Sequence, residues 1–236
     1  MLVSFDLETT NTDPETGLIL ECALQKFHPE TLTVESENST LVLHPTLPTL
    51  SPTVREMHTE NGLLHDLQTA TLRADGWVGG HRALDIWVAD QLTYMRAEPA
   101  SVLLVGMSIQ FDRRWVERHL PFTKAFLSHR MLDLSTVREI LRLWEPLGCI
   151  QLPKVEKIPH RSLDDCKMAL KTLRWYQENV FLNRPAARLL ALEELRGHHK
   201  LKELQHALHC LRRGETARLL DPGGILDPIL MFLDTL

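Results

Sequence analysis

The chain has 236 residues, 44% of them hydrophobic and 24% charged, with a formal net charge of −5. That is enough to close one sizeable core with a small appendage and too little for two full enzyme domains; the composition excludes a disordered chain, and no apolar run reaches the roughly 18 residues of a membrane span. The acidic balance excludes long, sequence-independent tracking of duplex phosphates, which draws on a broad Lys/Arg surface, so any contact with nucleic acid is expected to be local and metal-assisted.

The opening residues MLVSFDLETT lack the basic region, apolar stretch and small-residue cleavage site of a secretory signal, and a cytoplasmic location is expected. Leu2 to Leu7 read as a buried strand that ends abruptly in acidic and threonine residues. After the turn-rich NTDPETG, the stretches Leu18 to Phe27 and Thr31 to Leu43 are rich in Val, Leu and Thr and are separated by His28-Pro29-Glu30, which predicts an antiparallel meander. Pro45, Pro48 and Pro52 keep the next stretch from forming a regular helix. Leu84, Trp87, Val88, Leu92 and Met95 recur at helical spacing and predict an amphipathic helix over 80–96.

Ser101 to Val105 supplies another buried strand, followed by a helix over 112–119. Thr136 with Glu139 reads as a capping box for a helix running to Trp144. Pro146, Gly148, Pro153 and Pro159 mark 145–161 as a loop, and Ser162 with Asp165 reads as the cap of the domain's last helix, whose stripe is Cys166, Ala169, Leu170, Leu173 and Val180. An early meander followed by strands alternating with helices predicts an α/β fold with a mixed sheet flanked by helices. From Asn183 the chain turns to Leu, Ala, Arg, Glu and His, so the expected division is a domain over 1–182 and a helical C-terminal extension over 183–236. Leucines of that extension pack on the domain or across a homodimer, and His198, His199, His206 and His209 are read as surface residues. Cys22, Cys149, Cys166 and Cys210 form no CxxC pair and read as reduced thiols rather than a disulfide framework or a zinc site.

Three places carry chemistry. Asp6 and Glu8 alternate onto one face at the end of the first strand, about 7 Å apart along the backbone, a ready ligand pair for a hard divalent cation. Asp112 follows a strand at a helix start, where the macrodipole also favours an acid. His160 lies on a loop beside a helix that carries Asp165 in its first turn; the imidazole is the side chain best suited to exchanging a proton near neutral pH.

Taken together, the early DxE, the mid-chain Asp and the late His-x4-Asp resemble the DEDDh branch of the DnaQ-like 3′→5′ exonucleases. Over about residues 1–182 the chain is most similar to oligoribonuclease: DLETT, His58-Thr59 before Gly62-Leu63, Ser108-Ile109 with Asp112-Arg113-Arg114, Arg130 with Leu132-Asp133 and Ser135-Thr136, and His160 with Asp164-Asp165. The resemblance implies an RNase H-like fold with a mixed five-stranded sheet, two Mg²⁺ or Mn²⁺ ions held by Asp6, Glu8, Asp112 and Asp165, and His160 as general base. It further implies that Ser108, Arg130, Ser135 and His58 bind substrate, the first three gripping the terminal phosphate of a very short oligonucleotide. The chain departs from the pattern at Asn11-Thr12, where the family has Gly-Leu and a base-wedging leucine, and at Ser128-His129, where it has His-Tyr. RNA and DNA ends both stay open as partners: the alternatives are a DNA-directed exonuclease of the proofreading or repair kind, and a catalytically silent nucleic-acid-binding or assembly module.

Overall fold

A computed structural model describes residues 1–70, 76–144 and 160–182 of the chain. The strands are β1 (Leu2–Thr9), β2 (Ile19–Phe27), β3 (Val34–Leu43), β4 (Trp77–Gly79), β5 (Val102–Gly106) and β6 (Leu127–Asp133). They form a six-stranded mixed sheet in the order β4-β3-β2-β1-β5-β6. The meander β1-β2-β3 is antiparallel, whereas β5 joins β1, β6 joins β5 and β4 joins β3 in parallel. The sheet has one strand more than the expected five; the extra strand, β4, is three residues long and leaves no periodic signal in the sequence.

The α-helices among the described residues are α1 (Pro52–Glu60), α2 (Leu63–Thr69), α3 (Gly80–Tyr94), α4 (Gln110–His119), α5 (Pro121–Phe126), α6 (Leu134–Trp144) and α7 (Ser162–Tyr176). α1 begins where the proline-rich stretch ends, with Pro52 in its first turn and the Ser51 hydroxyl accepting from the Val54 N–H at 3.3 Å, so the last proline starts a helix rather than forbidding one. α6 begins two residues before Thr136. Asp133 caps it by accepting from the Ser135 N–H at 2.9 Å, and Glu139 pairs with Arg142 at 2.7 Å instead of closing the expected capping box.

Alternation along β1 divides the two faces of the sheet. Val3, Phe5 and Leu7 enter a core with Leu84, Val88 and Leu92 of α3 and Trp115 and Val116 of α4. On the opposite face Leu20 and Leu41 pack with Leu63 and Leu67 of α2. Each such side chain contributes about 1.5–3 kcal/mol of burial. The even residues of β1 meet α7: the Ser4 hydroxyl donates to the Cys166 carbonyl at 3.3 Å, and the Cys166 thiol to the Ala23 carbonyl at 3.7 Å. Asp6 and Glu8 therefore project on the α7 face, at the strand end.

The loop between β1 and β2 is closed by its own polar groups. Thr10 and Leu18 exchange two hydrogen bonds of 2.9 Å, and the Asn11 side chain accepts from the Asp13 N–H at 2.9 Å. Three imidazoles fix its far side: His81 accepts from the Ile19 N–H at 3.0 Å, His44 donates to the Ile19 carbonyl at 2.8 Å and His119 to the Pro14 carbonyl at 2.6 Å. Burial, helped by the His119 and His44 rings, holds His81 down to about 4, which keeps its accepting nitrogen unprotonated. A Cβ on Gly17 would come within 2.5 Å of both Asn11 Oδ1 and Trp115 Cη2. Gly17→Ala is therefore expected to cost about 1–3 kcal/mol by overpacking, read as a fall of several degrees in Tm; an unchanged thermal melt would mean that Asn11 swings aside freely.

The chain divides into two compact units, Met1–Arg138 with Pro153–Arg174 and Glu139–Leu152 with Trp175–Leu236. The elements above up to Arg138, and α7 to Arg174, belong to the first. In the second, α7 runs into a π-helical turn, Gln177–Leu182, where the Asn179 amide donates to the Trp175 carbonyl at 2.9 Å. Of the expected loop over 145–161, residues 145–159 lie outside the described residues, as does the helical extension expected over 183–236. No helix among the described residues is long and apolar enough to cross a membrane.

Candidate active site

β1, α4 and α7 bring the four acids and the histidine expected from the sequence to one place. Asp6 and Glu8 leave the end of β1 on the α7 face. The Leu7 N–H between them donates to Asp112 Oδ1 at 2.9 Å, which locks the start of α4 to that strand end. Asp165 stands in the first turn of α7, and Glu8, His160 and Asp165 offer ligand atoms that all lie within 4.8 Å of one another. Asp6 Oδ2 and Asp165 Oδ1 are buried without a hydrogen-bond partner. Unsatisfied carboxylate oxygens of this kind, in a protein interior, fit the donor set of a hard divalent cation.

The electrostatics agree. Burial pushes Asp6 well above the usual carboxylate range, and the charges of Asp112, Asp165, Glu8 and Glu21 add to it. Glu8 is pushed up to about 8, first by burial and then by Asp165, Glu21 and Asp112. Asp165 is pushed up to about 7, by burial and then by Asp164 and Glu21. Three acids raised in this way make a site that a divalent cation stabilises by supplying positive charge.

His160 is exposed and has a φ of 52°, a left-handed conformation that a residue with a Cβ seldom adopts. Its carbonyl is held by the Asn61 side-chain amide. Ser108 has the same φ of 52°; its N–H donates to Asp133 Oδ1 at 3.1 Å and to Ser135 Oγ at 2.9 Å, and the two serine hydroxyls are 3.2 Å apart. Asp133 thus ties the Ser108 turn to the cap of α6 and presents both hydroxyls as a pair. Arg130 is exposed on β6. His58, counted above with the substrate-binding residues, is 0% exposed: one ring nitrogen donates to the Thr9 carbonyl at 3.1 Å, and the other faces Glu8 at 3.9 Å. In this structure His58 props the strand end that carries Glu8.

One expectation fails locally. Ser162 does not cap α7: its hydroxyl is buried without a partner, α7 begins at Ser162 itself, and the Ser162 N–H donates to Glu21 Oε2 at 2.9 Å. The carboxylate that satisfies the helix start comes from a strand 141 residues away, so no local cap was needed. Glu21 is also the residue that sequence reasoning missed. It lies directly across from Glu8 in the β1-β2 ladder. Its signal was an acid inside the apolar stretch LILECAL, where a charge survives only if paired.

Comparison with known proteins places this arrangement in context. An exonuclease family model matches residues 3–173. The oligoribonuclease of Streptomyces coelicolor is 30% identical over 190 residues, covering 78% of this chain and 88% of that protein. The oligoribonuclease of Mycolicibacterium paratuberculosis is 29% identical over 192 residues, covering 78% and 83%. Among solved structures, exonuclease I from Methylocaldum szegediense superposes with a TM-score of 0.54 at 16% identity, over 76% of this chain and 40% of that one. E. coli exonuclease I in complex with a dA16 oligonucleotide gives 0.54 at 15% identity, over 86% and 45%. The chain spans less than half of those two structures, and the likeness to them is one of fold.

Proposed function

The chain belongs to the DnaQ-like exonuclease family, close to oligoribonuclease, and is a 3′→5′ exonuclease; on that premise we propose that it releases 5′-mononucleotides from short single-stranded oligonucleotides, using two divalent cations, Mg²⁺ or Mn²⁺, at Asp6, Glu8, Asp112 and Asp165. One observation carries the reading: four carboxylates from three separate elements converge beside an exposed imidazole, with buried, unpartnered oxygens on Asp6 and Asp165. When bound, such a pair of cations eases deprotonation of the attacking water, neutralises charge on the pentacovalent phosphorus and steadies the departing 3′ oxygen.

The remaining work falls to the chain. His160 takes the proton from the attacking water; its ring is exposed and can pass the proton to solvent. Asp112 is pinned through Oδ1 by the Leu7 N–H, which fixes its carboxylate at the strand end that carries Asp6 and Glu8. The Ser108–Ser135 hydroxyl pair, 3.2 Å apart, and the exposed Arg130 supply donors for a terminal phosphate, which favours a short oligonucleotide. Thr12, at the place of the family's leucine, is exposed and polar, and Asn11 beside it is engaged within its own loop by the Asp13 N–H and Thr16, so this segment offers no apolar wedge against a base.

The test is digestion of end-labelled RNA and DNA oligomers of graded length in Mn²⁺, with Asp6→Ala as control. We expect stepwise release of 5′-mononucleotides from the 3′ end, fastest on the shortest oligomers. Faster cleavage of long DNA would overturn the short-substrate reading in favour of a proofreading or repair enzyme. No cleavage of any oligomer in Mg²⁺ or Mn²⁺ would favour a silent binding module.

A further inference from the structure

Between His160 and α7 stands Arg161, and all three nitrogens of its guanidinium donate to the protein. Nε donates to Glu21 Oε1 and Oε2 at 3.2 Å each, and Nη2 to Oε1 at 2.8 Å. Nη1 donates to Asp66 Oδ2 at 2.9 Å and to the Asn61 carbonyl at 3.4 Å. The same Glu21 carboxylate accepts from the Ser162 N–H at 2.9 Å, while the Arg161 carbonyl accepts from the Asp165 N–H at 2.9 Å. Asn61, whose carbonyl touches Arg161, also holds the His160 carbonyl with its side chain. One fork therefore ties three things together: β2 through Glu21, the start of α2 through Asp66, and the first turn of α7.

Two features make this more than a surface ion pair. Glu21 and Glu8 are directly paired across the β1-β2 ladder, where like charges repel; the guanidinium offsets that repulsion on the Glu21 side and leaves Glu8 facing Asp165 and His160. His160 also sits in a left-handed conformation disfavoured for a residue with a Cβ, and the contacts that hold its backbone are those of Asn61 and of the residue that follows it. The planar fork is specific to arginine, since a lysine ammonium cannot span two carboxylates with the same geometry.

We propose that Arg161 and Glu21 are positioning residues: their fork, closed by Asp66 and Asn61, holds the start of α7 against β2 so that His160 and Asp165 stay in range of Glu8. This rests on the exonuclease reading above. Arg161 acts through the ligands and not through substrate, because four of its five N–H donors are engaged by protein acceptors.

The test is Mn²⁺ titration of the metal-free full chain by electron paramagnetic resonance, alongside steady-state kinetics on a short oligonucleotide, for Arg161→Gln, Arg161→Lys, Glu21→Gln and the Arg161→Gln/Glu21→Gln double variant. Each single variant is expected to lose about 10–100-fold in Mn²⁺ affinity and in kcat, as removal of partners behind metal ligands generally does. KM should stay within about twofold, because no substrate contact is removed. Arg161→Lys should be as defective as Arg161→Gln, and the double variant no worse than the worse single. If a single variant fails to fold, Asp66→Asn, which loosens only the outer half of the fork, should still weaken Mn²⁺ binding severalfold. Wild-type Mn²⁺ affinity and kcat in these variants would overturn the inference alone, as would a raised KM with unchanged kcat, which would make Arg161 a phosphate contact. Weakened Mn²⁺ binding in the Arg161 variants, beside a wild-type protein that binds Mn²⁺ but cleaves nothing, would overturn the exonuclease reading and leave the positioning role standing. A wild-type protein that binds no Mn²⁺ would overturn both.

Discussion

Asp112→Asn is expected to abolish hydrolysis and at the same time to raise the melting temperature of the metal-free protein. Asp112 is 4% exposed, and Oδ1 accepts from the Leu7 N–H at 2.9 Å. An asparagine oxygen can keep that bond, so the substitution removes charge with little loss of packing. Burial pushes Asp112 up to about 8, the bonds from Leu7 N–H and its own N–H oppose this, and Asp165 and Asp133 add to it. A carboxylate raised in the folded state contributes stability that is present below its unfolded value and lost as pH climbs through its folded value. The gain in Asp112→Asn should therefore be small near pH 4 and largest at pH 8.5, where it is worth at least about 1 kcal/mol, a few degrees in Tm. Loss of one of four cation ligands should lower kcat by about 10³-fold or more, several kcal/mol of transition-state stabilisation. Thermal melts at the two pH values and a mononucleotide-release assay check both halves. A variant that is less stable at pH 8.5 would show that the Asp112 charge is compensated within the fold.

The places where sequence and structure part company follow one pattern. β1, β2, β3, α3 and α7 were legible because each leaves a period or a run: the even-odd split of Val3, Phe5 and Leu7 against Asp6 and Glu8 is visible in six letters. β4 was not legible, because three residues carry no period, and β6 was not, because SHRMLD mixes polar and apolar residues without alternation. Both join the sheet by parallel pairing, β4 with β3 and β6 with β5, a contact made by the tertiary fold and not by a neighbouring turn. The acids Asp6, Glu8, Asp112 and Asp165 could be read because each sits at an element boundary that the local pattern marks. Glu21 could not, since its partners Arg161 and Ser162 lie 140 and 141 residues away. The failure of the Ser162 cap has the same cause: local rules supplied a hydroxyl, and the fold supplied a stronger charged acceptor from another strand. His58 shows the converse, since a motif position matched the family while the side chain turned inward to the Thr9 carbonyl.

A melting temperature that falls as pH rises from 6.5 to 8.5, and that Mn²⁺ restores, is the second large effect expected. In that window Glu8 and Asp165, raised to about 8 and about 7, give up protons in the folded protein while ordinary carboxylates in the unfolded chain are already ionised. Asp6, raised by burial first and by its acidic neighbours next, acts in the same direction. His81, held down to about 4 chiefly by burial, is the opposite case: its contribution is present above the ordinary histidine range and lost as pH falls, so it shapes only the acid side. Above pH 6.5 the carboxylates therefore dominate, and the metal-free protein should soften until pH passes their folded values of about 7 and about 8, then level off. A cation that replaces those protons stabilises more as pH rises, because it no longer competes with them. At 100 times its dissociation constant it adds about 2.7 kcal/mol, roughly 5–10 °C for a chain of this size. Differential scanning calorimetry at pH 6.5, 7.5 and 8.5, with and without Mn²⁺, measures both slopes, and Asp6→Asn should flatten them. If the melting temperature stayed level across this window in the absence of metal, the four carboxylates would not be the mutually repelling set that a two-cation mechanism requires.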